Sequence, residues 1–283
     1  MYHFALLKSQ KGALLMKAQY KSLSPLLLLV LLGLGAACQR AGQVLGPKDE
    51  GGIYLIIGLR KAGVEQPAQV LAQTMAVMQK RCERLNIYCK LERYDEAKSN
   101  LIKLRFSSPE DPERIKSILL SEGLEMRAVV SPPGPAPAQT YPTRAEAEEA
   151  AGAKGEVITY AEQDGPEKFI IVESAPIVTG QDIREAGIDN VTGRADSYQI
   201  NFKLTPAAAE RFGAWTGANI DRYLAVVLSG RVRSVASIKG QIFDSGQITG
   251  RFTKAEAEDA ALLMMSGNLP APIQALEEGF YKP

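Results

Sequence analysis

Two rhythms of apolar and polar positions run through residues 51–130. Residues 53–59 (IYLIIGL) are a nearly continuous apolar run, the pattern of a buried strand. From about Gln66 to Asn86 the apolar residues Leu71, Met75, Met78, Cys82 and Leu85 fall at spacings of four, three, four and three, one stripe of a helix. That stripe reads as core, not as a cofactor site. Residues 88–94 (YCKLERY) and 100–106 (NLIKLRF) predict two strands joined by the polar segment 95–99, and in the second Ile102, Leu104 and Phe106 alternate with Leu101, Lys103 and Arg105. A second helix opens with Asp111 as cap and Pro112 at its first position, buries Ile115, Ile118 and Leu119, and stops before Gly123. Residues 124–130 (LEMRAVV) predict a last strand. The order β-α-β-β-α-β is the ferredoxin-like arrangement.

A break follows. Residues 131–142 (SPPGPAPAQTYP) hold five prolines in 12 positions, which excludes a regular element and marks a boundary or an extended excursion. Residues 143–155 read as a short acidic helix or a continuing loop. Glu146, Glu148 and Glu149 lack hard ligand spacing and fit a solvated face, not a metal site. Beyond it, 157–161 and 169–174 predict strands paired around the turn Gln163–Pro166, and 198–204 (YQINFKL) alternates strictly. Thr205-Pro206 opens a helix that carries Phe212 and Trp215, both read as core. Residues 223–228 and 231–238 predict a hairpin about Ser229-Gly230. Thr253 and Glu256 predict a capping box for a helix that ends at Gly267, and 269–276 leaves in an extended conformation. The whole is α+β: a ferredoxin-like unit, residues 51–130, a Pro-rich and acidic linker, 131–155, and a second α+β unit, 156–283.

Charge and composition sharpen this reading at the N-terminus. The formal net charge is +1, but residues 1–38 hold four lysines and no acid, which leaves 33 − 4 = 29 basic against 32 acidic residues, −3, beyond Cys38. Neither figure is the basic excess of a nucleic-acid binder. Residues 26–37 (LLLLVLLGLGAA) form an apolar run of 12, shorter than the ~20 needed to span a bilayer and suited to the core of a signal peptide. Met16 makes a conventional charged start for that signal, so Met1 and Met16 are both candidate starts. Gly35-Ala36-Ala37-Cys38 resembles the lipobox of bacterial lipoproteins, with Leu34 one step earlier than usual. It predicts lipidation of Cys38, with plain secretion or an uncleaved short anchor as alternatives. Residues 39–50 read as a tether. Removing residues 1–37 also removes His3, the chain's single histidine. Ser-His-Asp and Cys-His chemistry and the HExxH zinc site are then excluded. In an oxidising compartment Cys82 and Cys89 can pair across the turn between helix and strand, the alternative being two separate thiols.

Several segments, in order, resemble the SecD family of protein-export translocase subunits: GGIYLII (51–57), VMQKRCERLNI (77–87), NLIKLRF (100–106), DPERIKSIL (111–119), FKLTPAAAERFGAWT (202–216), YLAVVLSGRVRSVASI (223–238), GQITGRFT (246–253) and NLPAPIQ (268–274). The resemblance is to the family's large first periplasmic domain, though Val235-Ala236-Ser237 lacks an expected proline. It implies a base over 51–130 and a head over about 156–278, with some C-terminal strands returning to the base. It also implies a passive role, that of holding emerging polypeptide. The membrane helices that couple SecD to the proton gradient have no counterpart in this sequence.

Two functions fit. One is a lipid-anchored periplasmic module of protein export that binds emerging or unfolded polypeptide or docks on the Sec translocase. The other is an envelope scaffold that kept the fold without a Sec role. Neither needs a cofactor, a metal or a nucleic acid, and no enzyme is expected. Which membrane holds the anchor and which surface takes polypeptide are not readable from the residues.

Overall fold

The computed structural model describes residues 47–60, 65–94, 101–107, 110–160, 165–193 and 196–283. The polar segment 95–99, part of the turn at 161–164, and the leader with Cys38 lie outside them. The fold is α+β. The first elements are β1 (Gly52–Leu59), α1 (Pro67–Leu85), β2 (Cys89–Arg93), β3 (Leu101–Phe106), α2 (Pro112–Leu120) and β4 (Leu124–Ala128). Then come α3 (Arg144–Ala151), β5 (Glu156–Tyr160), β6 (Lys168–Val172), β7 (Val178–Thr179), β8 (Ile183–Asn190) and β9 (Tyr198–Leu204). The chain closes with α4 (Pro206–Ala218), β10 (Tyr223–Leu228), β11 (Arg231–Ser237), β12 (Ser245–Phe252), α5 (Lys254–Ser266) and β13 (Ile273–Tyr281).

These strands form three sheets, ordered β13-β1-β3-β2, β6-β5-β11-β10-β4-β7 and β12-β9-β8. In the first, Ile53, Leu55 and Ile57 of β1 and Ile102, Leu104 and Phe106 of β3 face α1 and α2, where Leu71, Met78, Cys82, Ile115 and Leu119 complete a core. The local signals work as the residues demand. Asp111 accepts from the Arg114 amide at 3.0 Å, and Pro112 needs no partner for the amide it lacks.

One expectation is corrected here. Residues 124–128 do not close the first sheet. They pair antiparallel with β10, from Leu124↔Leu228 to Ala128↔Leu224, and with β7. The place beside β1 is taken by β13, in register from Gly52↔Tyr281 to Leu59↔Ile273. A strand of five residues with apolar residues on one face carries no address for its partner. Long-range pairing decides it.

The Pro-rich segment is pinned down, not free. Gly134 N–H donates to Asp221 C=O at 2.8 Å, Tyr223 O–H donates to Ala136 C=O, and Ser131 Oγ accepts from the Gln139 amide at 3.0 Å. Next, α3 is capped by Thr143 and buries Ala147 and Ala151. Its acidic residues Glu146, Glu148 and Glu149 are exposed. The hairpin β10–β11 turns through Ser229 and Gly230, both at positive φ (53° and 75°), the pair a two-residue type I′ turn requires. The third sheet lays Ile200, Phe202 and Leu204 against α4 and α5, in a core shared with Leu124 and Met126 of β4. The capping box at Thr253 and Glu256 is present.

Candidate functional site

The chemistry-bearing groups gather where α1 and α2 meet α5 and β8. Arg81 lies on the apolar stripe of α1, three residues past Met78, and is fully buried. Its Nη1 donates to the carbonyls of Ile118, Leu119 and Ser121 at 2.9, 3.0 and 2.6 Å, and its Nη2 to Gly267 C=O at 3.1 Å. One cation thus serves the carbonyl ends of both α2 and α5, where the helix dipoles also favour positive charge. Burial pushes the guanidinium down to about 10, so it stays charged at neutral pH. This arrangement is structural: nothing in it is free to act on a ligand except Nε, which is buried without a partner.

A second joint is polar and half-buried. Arg114 of α2 grips Asp259 of α5 with two nitrogens, Nε lying 3.1 Å from each carboxylate oxygen. That hydrogen bond holds the Arg114 guanidinium above its ordinary range against the opposing effect of burial. Close by, Gly123 sits at φ +109° with Asn268 so near that a Cβ would come within 2.9 Å of its Cα, so only glycine fits. Asn268 Oδ1 in turn accepts from the Gly180 amide at 2.8 Å.

Between these joints and β8 runs a groove of about 540 Å³, with Leu85, Ile188, Leu262 and Met265 on its floor and Arg84 and the Arg114–Asp259 pair on its rim. Across β8, on the opposite face of its sheet, lies a trough of about 440 Å³ over Glu185, Gly187, Asn201, Lys203, Gly246 and Gln247. A third hollow, about 570 Å³, is polar: Arg127 pairs with Glu125 and Glu156 at 2.7 and 2.6 Å. Burial works against the Arg127 charge, but the two carboxylates outweigh it and raise its pKa. With every charge at its centre paired, this hollow reads as a structural joint.

Cys82 and Cys89, the cysteine pair named from the sequence, stand bonded, with Cα atoms 6.0 Å apart, within the span a disulfide bridges. Cys38 is outside the described residues. Trp215 is partly buried against the core around Phe212. Among the described residues no three histidine, cysteine, aspartate or glutamate side chains converge as a metal site would need. No described helix is long and apolar enough to cross a membrane. The buried Arg81 and the strand β8 are not among the features the sequence predicts. A charge on a helix's apolar stripe was a usable signal for the first, whereas IREAGIDN (183–190) alternates too weakly to announce a strand.

Residues 156–271 match the family model of the SecDF P1 head subdomain. Protein translocase subunit SecD of Aquifex aeolicus is 46% identical over 123 residues, 43% of this chain and 24% of that protein. SecD of Koribacter versatilis is 36% identical over 175 residues, 60% of this chain and 31% of that protein. The chain therefore spans about a quarter to a third of the length of these relatives. Among solved structures, SecDF in its super-membrane-facing form superposes with a TM-score of 0.59 at 22% identity, covering 82% of this chain and 30% of that one. A SecDF component described as enhancing protein export superposes at 0.57 and 22% identity, covering 79% of this chain and 98% of that one. At such identity these two speak for the fold alone, and the fold they share is α+β.

Proposed function

We propose, from the premise that this chain is SecD-like and folded as the family's first periplasmic domain, that it holds emerging or unfolded polypeptide on the outer side of a bacterial membrane or docks on the Sec translocase. The observation that carries this reading is the match of residues 156–271 to the SecDF head subdomain, in a chain whose remaining elements follow the SecDF fold. We read β1 to α2, completed by 273–281, as the base, and the chain from 156 to Pro272, whose sheet takes in β4, as the head. The role is passive and non-enzymatic: binding hinders the return of a segment already exported. Lipidation at Cys38 holds the module near the membrane, the other two cysteines are bridged, and no cofactor takes part. The test is photo-crosslinking in cells from exposed positions such as Gln247. Adducts with secretory precursors or translocase subunits are the expected result, and their absence from both classes overturns the reading.

The cysteine assignment carries its own prediction. Closing so short a loop stabilises the fold by about 2–3 kcal/mol on the chain-entropy scale. Thiol titration of the denatured, unreduced exported protein is expected to leave Cys82 and Cys89 unlabelled. Replacing both by serine is expected to lower the unfolding free energy by at least that amount, because Cys82 is also part of the core. Two titratable thiols would refute the bridge.

A further inference from the structure

The edge of β8 is open. β8 pairs with β9 on one side and ends its sheet on the other. Val191 N–H donates to Ser197 C=O at 2.8 Å, in line with the register Asn190↔Tyr198 and Gly187↔Asn201. Because antiparallel pairs alternate between bonded and non-bonded, the backbone groups of Ala186, Ile188 and Asn190 then point away from β9. Among the described residues no other strand meets them. Charges at Arg184, Glu185 and Asp189 flank this stretch, as on edges guarded against pairing at random, but the middle is Ala186-Gly187-Ile188.

A hollow lies on each side of this edge, so successive side chains of a strand laid along it would enter them in turn. On the α5 side the floor is apolar: Leu85, Ile188, Leu262 and Met265. On the other side the trough runs over Gly187, Gly246 and the side chains of Glu185 and Lys203, and Asn201 Nδ2 donates to Asp189 there. Gly187 sits between them, and a Cβ built there would meet nothing within 4 Å. Arg84, exposed on the last turn of α1, forms no ion pair among the described residues and stands on the rim of the groove, whose other charges are Arg114, Glu258 and Asp259. Its place near a helix C-terminus accounts for its sign, not for its lack of a carboxylate partner.

We infer that the free edge of β8 is a strand-addition site for an extended polypeptide, taken up by main-chain hydrogen bonds to Ala186, Ile188 and Asn190. Its side chains enter the two hollows in turn: apolar ones lie over Ile188 and Met265 in the groove, the alternate ones lie over Gly187 in the trough, and an acidic residue meets Arg84. Main-chain bonding gives affinity without reading sequence, while the two hollows give room to alternate side chains. This inference rests on the polypeptide-holding reading above and supplies its location and mode.

The test uses the full chain in detergent with two probes: a reduced, carboxymethylated unfolded protein, and a labelled acetylated nonapeptide of alternating valine and threonine with an N-terminal aspartate. Both are expected to bind. N-methylating the peptide at the amides of one alternating frame should weaken it about tenfold or more through lost main-chain bonds, and methylating the other frame should not. Gly187→Phe, which fills open space, and Ala186→Pro, which removes an outward amide, should weaken both probes to a similar degree, about tenfold. Arg84→Ala should weaken only the peptide that carries aspartate. If the unfolded protein binds but both methylation frames and all three variants behave as the parent does, the edge site is wrong and the holding reading stands. If neither probe binds the parent chain, the holding reading itself fails. A concentration-dependent dimer lost in Gly187→Phe, with no peptide binding, would assign the edge to a second copy of this chain and overturn the inference. Because the methylated peptides are tested on the parent chain, they decide for or against the edge even if a variant fails to fold.

Discussion

Replacing Arg81 by methionine is expected to lower the unfolding free energy by about 3–5 kcal/mol, read as a loss of about 1–2 M in the urea midpoint. The substitution keeps the length of the stem on the apolar stripe of α1 but removes the donors. Four carbonyls then lose this donor, and of these Ile118 keeps only the Ser121 amide at 3.3 Å while those of Leu119, Ser121 and Gly267 depended on Arg81. Water does not replace it easily, because the site is fully buried. Arg81→Lys should recover only part of the loss, since a point charge on a single nitrogen does not reach both helix ends as the planar fork does. The effect should be regional as well as large. Hydrogen exchange should quicken at the last turn of α2 and at the C-terminus of α5 together, because one side chain serves both. A midpoint within the error of the parent would mean that the carbonyls find other donors and that Arg81 does not join these helices.

The second large effect comes from removing β13. A chain ending at Pro272 should lose the first sheet as a cooperative structure while keeping the other two. β13 supplies eight register pairs along β1 and the buried Ile273. Loss of that ladder and of one core isoleucine sums to more than about 5 kcal/mol, the whole stability of many domains. Amide exchange in β1 and β3 should then approach unprotected rates while β9 and β10 stay protected. Retained protection in β1 would show that three strands suffice, and that β13 only covers an edge.

These two features also mark how far the sequence could be read. The helices were legible because their signals are local: Asp111-Pro112, Thr205-Pro206 and the Thr253–Glu256 box each act within one turn. The Ser229-Gly230 hairpin was legible for the same reason. Strand partners were not. LEMRA (124–128) and IQALEEGFY (273–281) each suit more than one sheet, and which one they join depends on residues some 100 to 220 positions away. β13 is also hard to recognise because only Ile273 along it is buried, so no apolar alternation advertises it. The candidate site was least legible of all. Leu85 belongs to a helix stripe that reads as core, Met265 stands on a helix far along the chain, and only the packing of the two leaves a groove between them and β8. Openness at Gly187 is a property of what does not surround it, and a sequence does not encode that in any neighbouring residue.

The pairing of β1 with β13 has a mechanical consequence. The strands are antiparallel, and Gly52, where one enters, faces Tyr281, where the other leaves. Asp49 latches this end by accepting from the Tyr281 hydroxyl at 2.9 Å. Tension applied to the chain before residue 49 and after residue 281 therefore pulls the two strands apart at one end, so their bonds break one at a time and do not share the load in shear. The first sheet would unzip at low force, and the head would bear tension only after that release.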